Sequence, residues 1–157
     1  MPFRFKYFNV CDEQSTQRVG TDSMILGAWS EPHDSGHILD IGTGCGILSL
    51  MMAQKSIGSI DAIEIDTASA IEARNNFQQS PWSERIHLYN MSIQRFIKSI
   101  DGKYDFIITN PPYFSDSLQS PVYQRTIARH DQVLSLHELA TMAARVLTPQ
   151  GILALVS

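Results

Sequence analysis

Short apolar runs alternate with amphipathic stretches along most of the chain. Runs rich in β-branched and aromatic residues predict strands at His37–Ile41, Ser59–Ile65, Arg85–Tyr89, Tyr104–Thr109 and Gly151–Ser157. Helical spacing of apolar residues predicts helices at Gly46–Gln54, Ala68–Gln78, Ile93–Ile100 and Ser135–Leu147. Because strands that alternate with helices form parallel β-α-β units, the pattern predicts an α/β fold whose parallel sheet is covered on both faces.

Local signals mark several ends of these elements. Ser135 and Glu138 have the spacing of a capping box, and Ser92 is a candidate cap for the short helix that follows it. The sequence of residues 149–151, Pro-Gln-Gly, predicts a turn before the last strand. Residues 114–134 form a long connection without periodicity, and loops of this length are usually functional or disordered.

Composition narrows the class of protein. The 157 residues suffice for one domain, with residues 1–30 as an amino-terminal cap and 31–157 as the core. A formal net charge of −4 argues against nucleic-acid binding through bulk positive charge and leaves room for a local basic patch. Two cysteines are too few for a disulfide scaffold or a four-cysteine zinc site. With no signal peptide or membrane span, we expect a soluble cytoplasmic protein without a metal.

A glycine-rich turn follows the first predicted core strand. Gly42, Gly44 and Gly46 form a G-x-G-x-G motif between that strand and a helix, a place where a ligand can approach main-chain N–H groups. The dinucleotide fingerprint G-x-G-x-x-G would need glycine where Ile47 stands, so NAD binding is disfavoured. Asp40, just before the turn, adds a carboxylate that a simple turn does not need.

An acidic side chain follows the second core strand, about 20 residues after the glycines. Glu64 can accept hydrogen bonds from both hydroxyls of a ribose at this position. Asp66, two residues later, has an alternative role as the cap of the next helix.

The sequence Asn110-Pro111-Pro112-Tyr113 directly follows the fourth core strand. Two prolines fix the backbone and remove two N–H donors, so the Asn110 side chain and a neighbouring carbonyl can act together as acceptors. A planar amine that donates both hydrogens there would aim its lone pair out of plane, at an electrophile. The ring of Tyr113 offers a stacking face for a planar group.

Together, the glycine turn, Glu64 and the N-P-P-Y sequence resemble the class I S-adenosylmethionine-dependent methyltransferases that methylate amines, which have a Rossmann-like fold. The resemblance implies S-adenosylmethionine as cofactor and S-adenosylhomocysteine as product. It implies that Glu64 holds the ribose and that Asn110 borders both cofactor and amine. Many relatives have an acidic residue after the third strand, where this chain has Asn90-Met91-Ser92, so Met91 or Ser92 is expected to contact adenine. The residues implied at the methionine end are Asp40, Gly42, Gly44 and Gly46.

A narrower resemblance covers nearly the whole chain. Residues 5–8 (FKYF), 19–23 (VGTDS), 26–29 (LGAW), Arg125 and 128–130 (ARH) are similar to the bacterial tRNA-valine (adenine-N6)-methyltransferase family. That family methylates N6 of adenine 37 in tRNA1(Val). The resemblance implies that Thr21 and Asp22 lie near the methionine amino and carboxylate groups. It also implies two strands beyond the fifth, so the sheet is expected to lack its last two strands.

A tRNA substrate requires a place for the flipped adenine and for phosphates. We expect the adenine to stack on Tyr113, assisted by Phe114. The phosphate candidates are Arg125 and Arg129, which could equally be solvated loop residues, and His130, which we interpret as structural or phosphate-binding rather than as a base. The segment Phe3–Phe8 interleaves basic and aromatic residues, a pattern that also fits an ordinary strand with one buried face.

Two other functions are compatible with the same motifs. An N-P-P-Y methyltransferase can act on a glutamine side chain of a protein or on a base in ribosomal RNA or DNA. A cofactor-binding module without catalysis, serving as an RNA-binding or assembly partner, is the other alternative.

Overall fold

A five-stranded parallel sheet forms the centre of the computed structural model, which describes residues 1–32, 34–111 and 134–156. A two-stranded antiparallel pair, β1 (Phe3–Arg4) and β2 (Asn9–Val10), precedes it. The sheet comprises β3 (His37–Ile41), β4 (Ser59–Ile63), β5 (Ile86–Tyr89), β6 (Tyr104–Thr109) and β7 (Leu147–Leu155), in the order β5-β4-β3-β6-β7. All four strand pairs are parallel, which confirms the predicted sheet.

Helices cover both faces of this sheet. They are α1 (Thr21–Trp29), α2 (Ile47–Lys55), α3 (Thr67–Gln78), α4 (Ile93–Lys98) and α5 (Leu136–Val146), with a short 3-10 turn at Ser83–Arg85. Ile38 belongs to a core cluster with α1, α2 and α3, whereas its neighbour Leu39 belongs to a cluster with α4 and α5. The alternation of side chains along each strand therefore supplies two hydrophobic cores, one on each face. Within the described ranges, every helix is too short or too polar to cross a bilayer.

The strand order reverses direction between β3 and β6. From β3 the chain builds outward through β4 to β5, then crosses to the other side of β3 to form β6 and β7. In open α/β sheets a ligand binds at the carboxyl ends of the strands that flank such a reversal. The residues after β3 and after β6 therefore border the crevice where a ligand is expected.

The predicted caps are confirmed. The Asp66 carboxylate accepts from the Ser69 N–H at 2.9 Å, and the Ser92 hydroxyl accepts from a backbone N–H at 3.2 Å. Ser135 and Glu138 form a complete capping box at the start of α5, with distances of 2.8 and 3.1 Å. These caps fix where α3, α4 and α5 begin.

The second core strand is shorter than predicted. Pairing in β4 ends at Ile63, so Glu64 and Ile65 lie in the following loop. The reason is Asn90, whose side-chain nitrogen donates to the carbonyls of Glu64 at 2.8 Å and of Ile65 at 3.2 Å. These carbonyls are thereby engaged by the loop after β5.

The last strand begins earlier than predicted. β7 starts at Leu147, directly after α5, rather than at Gly151. Tyr104 pairs with Leu147, and Phe106 pairs with Ile152. The chain therefore advances two residues on β6 but five on β7 between these two pairs, which is a register shift. The predicted turn at residues 149–151 is thus an irregularity within the strand, where proline cannot donate to the ladder.

The amino-terminal aromatic segment is partly structural. The Phe5 and Phe8 rings stack at 4.6 Å, and buried Phe8 meets Trp82 edge-on at 5.7 Å. Arg4 and Lys6 remain exposed beside this hairpin. Strand pairing covers only Phe3 and Arg4, and the Phe3 and Tyr7 rings are exposed, so this segment is not an ordinary strand with one buried face. Its buried ring is Phe8, and the two exposed cations stay available for a partner.

Helix α1 was not predicted from its pattern, and it is held on α2 by one lysine. The Lys55 ammonium donates to the carbonyls of Gly27, Ala28 and Ser30 at 3.0, 2.6 and 2.8 Å. A Cβ on Gly27 would overlap the Met51 side chain, so the two helices pack in close contact. Lys55 supplies positive charge to a helix end whose last turn has no basic residue of its own.

Replacing Lys55 by methionine is expected to lower the free energy of unfolding by about 1.5–3 kcal/mol. The change keeps the length of the side chain but removes the charged donor from the carbonyl ends of α1. Urea unfolding measures the loss, and hydrogen exchange should show it as faster exchange within α1. Lys98→Met, at an exposed position on α4, is the control and should change stability by less than about 0.5 kcal/mol. Equal losses in the two variants would contradict this account of α1.

Candidate ligand site at the carboxyl edge of the sheet

The glycine turn after β3 adopts a backbone that only glycine accepts easily. Gly42, Gly44 and Gly46 have φ angles of 70°, 57° and 92°, all in the left-handed region. The N–H groups of Gly42 and Thr43 both donate to the Ile63 carbonyl at 2.9 Å. The turn is therefore pinned to the end of β4 as well as to its own strand.

The three glycines face different surroundings. A Cβ on Gly42 would meet nothing within 4 Å, and one on Gly44 would meet only the Gln17 carbonyl, at 3.9 Å. A Cβ on Gly46 would overlap the Phe77 ring of α3. Gly42 thus borders open space that a ligand could fill, Gly44 lies in ordinary contact with the amino-terminal segment, and Gly46 allows α3 to pack against the turn.

Asp40 lies fully buried at the end of β3. Its Oδ2 accepts from the hydroxyls of Thr43 at 2.6 Å and Ser49 at 2.7 Å, while Oδ1 has no hydrogen-bond partner among the described residues. Burial raises the pKa of Asp40 to about 6, and the hydrogen bonds from Thr43 and Ser49 oppose the rise. The Asp40 carboxylate therefore links the turn to α2 through Oδ2, while Oδ1 accepts no hydrogen bond from the described residues.

Glu64 lies against the same turn. It is 7% exposed, and its two carboxylate oxygens accept from the N–H groups of Gly44 at 2.8 Å and Asp66 at 2.9 Å. Burial raises the pKa of Glu64, and the two backbone donors counter that rise. The structure therefore brings the predicted ribose acceptor into direct contact with the predicted methionine-end turn.

The three residues after β5 support the loops around the site. The Asn90 side chain, which holds the loop after β4, also accepts from the Thr67 hydroxyl at 3.2 Å. The Ser92 hydroxyl caps α4 by accepting from the Arg95 N–H, and Met91 is half-buried against the core cluster of α4 and α5. The Ser92 hydroxyl thus accepts one hydrogen bond within the protein and keeps its own hydrogen to donate, so Met91 and Ser92 both stay candidates for the adenine contact.

Asn110 stands across the crevice, directly after β6. Its side-chain nitrogen donates to the Ser23 hydroxyl of α1 at 2.8 Å, and its side chain is half-buried. The Thr109 hydroxyl donates to the Ile41 carbonyl at 2.8 Å and so fastens the end of β6 to the end of β3. The backbone that carries Asn110 is thereby fixed relative to the glycine turn.

The first turn of α1 joins the two halves of the site. Thr21 is exposed, Asp22 is half-buried, and both directly precede Ser23 at the start of the helix. The contact between Ser23 and Asn110 spans 87 residues of sequence. The structure consequently places the predicted cofactor segment beside the predicted amine acceptor.

Pro111 is half-buried and directly follows Asn110. The remaining predicted substrate residues lie outside the described residues: Pro112, Tyr113, Phe114, Arg125, Arg129 and His130. Their roles stay predictions. In the ranges that the structure describes, no group of three His, Cys, Asp or Glu side chains could hold a metal ion.

Sequence analysis missed a set of polar residues on one face of α3. These are Ser69, Glu72 and Asn76. Asn76 donates to the carbonyls of Cys11 and Cys45 at 2.8 Å each, and Glu72 accepts from the Ser15 hydroxyl at 2.5 Å. They hold residues 11–16 of the amino-terminal segment against α3 and the glycine turn. The i, i+3, i+7 spacing of polar residues on one helix face was a signal that could have revealed them.

Known proteins resemble this chain in sequence. Residues 14–157 match the methyltransferase small domain family. The chain is 42% identical over 154 residues to the tRNA1(Val) (adenine(37)-N6)-methyltransferase of Parabacteroides distasonis, and 45% identical over 150 residues to the protein of that name from Dyadobacter fermentans. These matches cover 98% and 95% of this chain but 65% and 62% of the relatives. The chain thus spans slightly less than two thirds of these curated relatives.

Solved structures share the fold. A SAM-dependent methyltransferase from Agrobacterium tumefaciens matches with a TM-score of 0.72 at 16% identity, over 99% of this chain and 51% of that one. A second, from Thiobacillus denitrificans and in complex with S-adenosyl-L-homocysteine, matches with a TM-score of 0.60 at 16% identity, over 85% of this chain and 46% of that one. At these identities the likeness concerns the fold alone, and it confirms the predicted Rossmann-like architecture.

Asp40→Asn is expected to remove a pH-dependent loss of stability. Because the folded pKa of about 6 exceeds the ordinary 3.8, the folded protein binds this proton more tightly than the unfolded chain does. Wild type should therefore lose up to about 3 kcal/mol of unfolding free energy, relative to the variant, as pH rises from about 4 to about 6. Urea unfolding of both proteins across this range measures the difference. Asp101→Asn, at an exposed site, should follow the wild-type curve; parallel curves for wild type and Asp40→Asn would refute the expectation.

Alanine at two of the glycines should separate backbone strain from packing. Gly42→Ala and Gly46→Ala each place a Cβ on a left-handed backbone, at a cost of about 1–2 kcal/mol. Gly46→Ala must also displace Phe77, which adds about 1–3 kcal/mol. Urea unfolding should rank Gly46→Ala below Gly42→Ala in stability. Gly102→Ala, where a Cβ meets nothing within 4 Å, is the control; a larger loss for Gly42→Ala than for Gly46→Ala would contradict the assignment.

Proposed function

The chain belongs to the methyltransferase small domain family, and on that premise we propose that it transfers a methyl group from S-adenosylmethionine to N6 of adenine 37 in tRNA1(Val). The observation that carries the proposal is the position of Asn110, fixed across the crevice from an open glycine turn. The names of relatives 42–45% identical to this chain supply the nucleotide and the tRNA.

The residues around the crevice fit the proposed cofactor. Gly42 borders open space where the methionine end would lie, beside Gly44 and with Thr21 and Asp22 at the start of α1. Glu64, adjacent to Gly44, would hold the ribose, and Met91 or Ser92 would contact adenine. In this proposal Gly46 acts indirectly, by letting Phe77 support the turn.

Charge favours a cationic ligand at this place. Asp40 and Glu64 are both buried carboxylates near the glycine turn, and removal from water raises the pKa of each. S-adenosylmethionine carries a positively charged sulfonium and an ammonium group. Since Asp40 is fully buried, its proposed role is to brace the turn and to act through its charge, whereas Glu64 is the direct ligand.

The proposed chemistry at Asn110 follows from hydrogen-bond geometry. The cofactor, when bound, supplies an electrophilic methyl group. The Asn110 Oδ1 and the Pro111 carbonyl would accept the two hydrogens of the adenine amine, which favours its pyramidal form and aims the lone pair at the methyl carbon. As the N–C bond forms and the S–C bond breaks, the products are S-adenosylhomocysteine and a methylated amine that then releases a proton to water. This step needs no strong general base.

Binding of tRNA would use residues near the crevice together with local cations. Tyr113 and Phe114 would stack the flipped adenine, and Arg125, Arg129 and His130 would contact phosphates. The exposed Arg4 and Lys6 of the hairpin are a further basic pair available to RNA. The net charge of −4 supports such local contacts over a broad electrostatic surface.

Asn110→Ala is expected to lower methyl transfer by about 100-fold or more, because the acceptor that positions the amine is lost. The assay incubates labelled S-adenosylmethionine with unmodified total tRNA, followed by digestion and nucleoside identification. Cofactor affinity, measured by calorimetry, should change by less than about threefold. Asn75→Ala, an exposed asparagine on α3, is the matched control and should keep full activity.

Each outcome of this assay selects one function. Formation of N6-methyladenosine in valine tRNA supports the proposal. If the Asn110→Ala variant formed it at the full wild-type rate, the proposed amine geometry would be excluded. Label in protein or in another nucleic acid would favour the wider N-P-P-Y class of methyltransferases. Cofactor binding without transfer to any substrate would favour a module without catalysis.

A further inference from the structure

The side chain of an asparagine has two ends of similar shape and opposite hydrogen-bonding character. Its oxygen accepts, and its NH2 group donates. An amine substrate that donates two hydrogens must meet the oxygen end of Asn110. If the NH2 end faced the amine, two hydrogen-bond donors would face each other without an acceptor. Any group that fixes this orientation therefore affects the proposed reaction without touching the substrate.

Ser23 is bonded to the NH2 end. The Asn110 Nδ2 donates to the Ser23 hydroxyl oxygen at 2.8 Å. Ser23 is 8% exposed, so little water competes for this contact. With Nδ2 directed to α1, the Oδ1 atom is the end left to accept from a bound amine.

Both partners of this bond are held on rigid elements. Ser23 belongs to α1, which Lys55 fastens to α2 through three carbonyls and which buries Leu26 in the core. Asn110 follows Thr109, whose hydroxyl bond to β3 fixes the end of β6. The amide is therefore anchored between two rigid elements before a substrate arrives, as positioning of a reacting group requires. The hydrogen bond from Nδ2 to Ser23 gives the orientation that it has in this structure.

We propose that Ser23 is a positioning residue, which holds the Asn110 amide with its oxygen directed to the target amine. The inference rests on the proposed function, since it assigns the orientation of the acceptor in that reaction. It also explains why α1 is fastened so firmly at its far end: a shift of this helix would release the amide.

A double-mutant cycle tests the inference, because a carboxylate has an oxygen at both ends and needs no orienting partner. Ser23→Ala should lower kcat about tenfold, with the KM for tRNA and the Kd for S-adenosylmethionine changed by less than about twofold. In an Asn110→Asp background, the same Ser23→Ala change should lower kcat by less than about twofold. Ser23→Thr, which keeps the hydroxyl, should recover most of the loss.

A purely structural role for Ser23 gives a different pattern. It would lower kcat equally in the Asn110 and Asn110→Asp backgrounds, or would change cofactor affinity and melting temperature together with kcat. Either result overturns the inference. Unchanged kcat in Ser23→Ala would overturn it as well.

Nuclear magnetic resonance of the 15N-labelled side-chain amide separates this inference from the proposed function. The two Asn110 amide protons, assigned by their absence in Asn110→Asp, should shift and exchange faster with water in Ser23→Ala. Identical amide signals in wild type and Ser23→Ala would refute the role of Ser23 whatever the activity. Wild-type protein that binds cofactor but methylates no substrate would instead refute the proposed function. In that case the amide signals would still show whether Asn110 donates to Ser23.

Discussion

The buried carboxylate of Asp40 is the constraint on which the site depends. This carboxylate accepts from two hydroxyl groups, and one of its oxygens has no partner in the described structure. Burying its charge in this way opposes folding. The same bonds from Thr43 and Ser49 hold three left-handed glycines in a conformation that few other sequences could adopt. The residues that form the glycine turn and its buried negative charge thus lower the stability of the folded protein. Functional sites commonly show this trade between stability and preorganised geometry.

The second organising feature is the connection between the two sides of the crevice. Parallel β-strands deliver Glu64 and Asn110 to the same edge of the sheet, but they do not orient the side chains. Orientation comes from groups outside the sheet. Backbone N–H groups position the Glu64 carboxylate, and the first turn of α1 positions the Asn110 amide. The fold therefore supplies coarse placement, and a few buried polar contacts supply the precision that in-line methyl transfer requires.

Sequence patterns predicted what depends on local order. Alternating apolar runs identified all five strands of the sheet and four of the helices, and the caps followed from residue type and spacing. Helix α1 escaped because it lies within residues 1–30, which were interpreted as a cap segment, and its packing against α2 joins residues far apart in sequence. The Ser23 contact escaped because its partner is 87 residues away. The sequence analysis named Asn90 only because many relatives have an acidic residue after the third strand. Its contacts with the Glu64 and Ile65 carbonyls were not predicted, since these belong to another loop. Long-range polar pairing of this kind leaves little trace in a single sequence.

The way α3 holds the amino-terminal segment has a consequence for sequence divergence. Cys11, Gln14 and Thr16 are bound through their backbone N–H groups, which donate to side chains on α3. Every amino acid except proline supplies that donor. Natural selection can therefore vary these side chains widely without losing the attachment, whereas Glu72 and Asn76 carry the chemistry and have few substitutes. Glu72 and Asn76 should therefore stay constant among relatives, while the side chains at positions 11, 14 and 16 change.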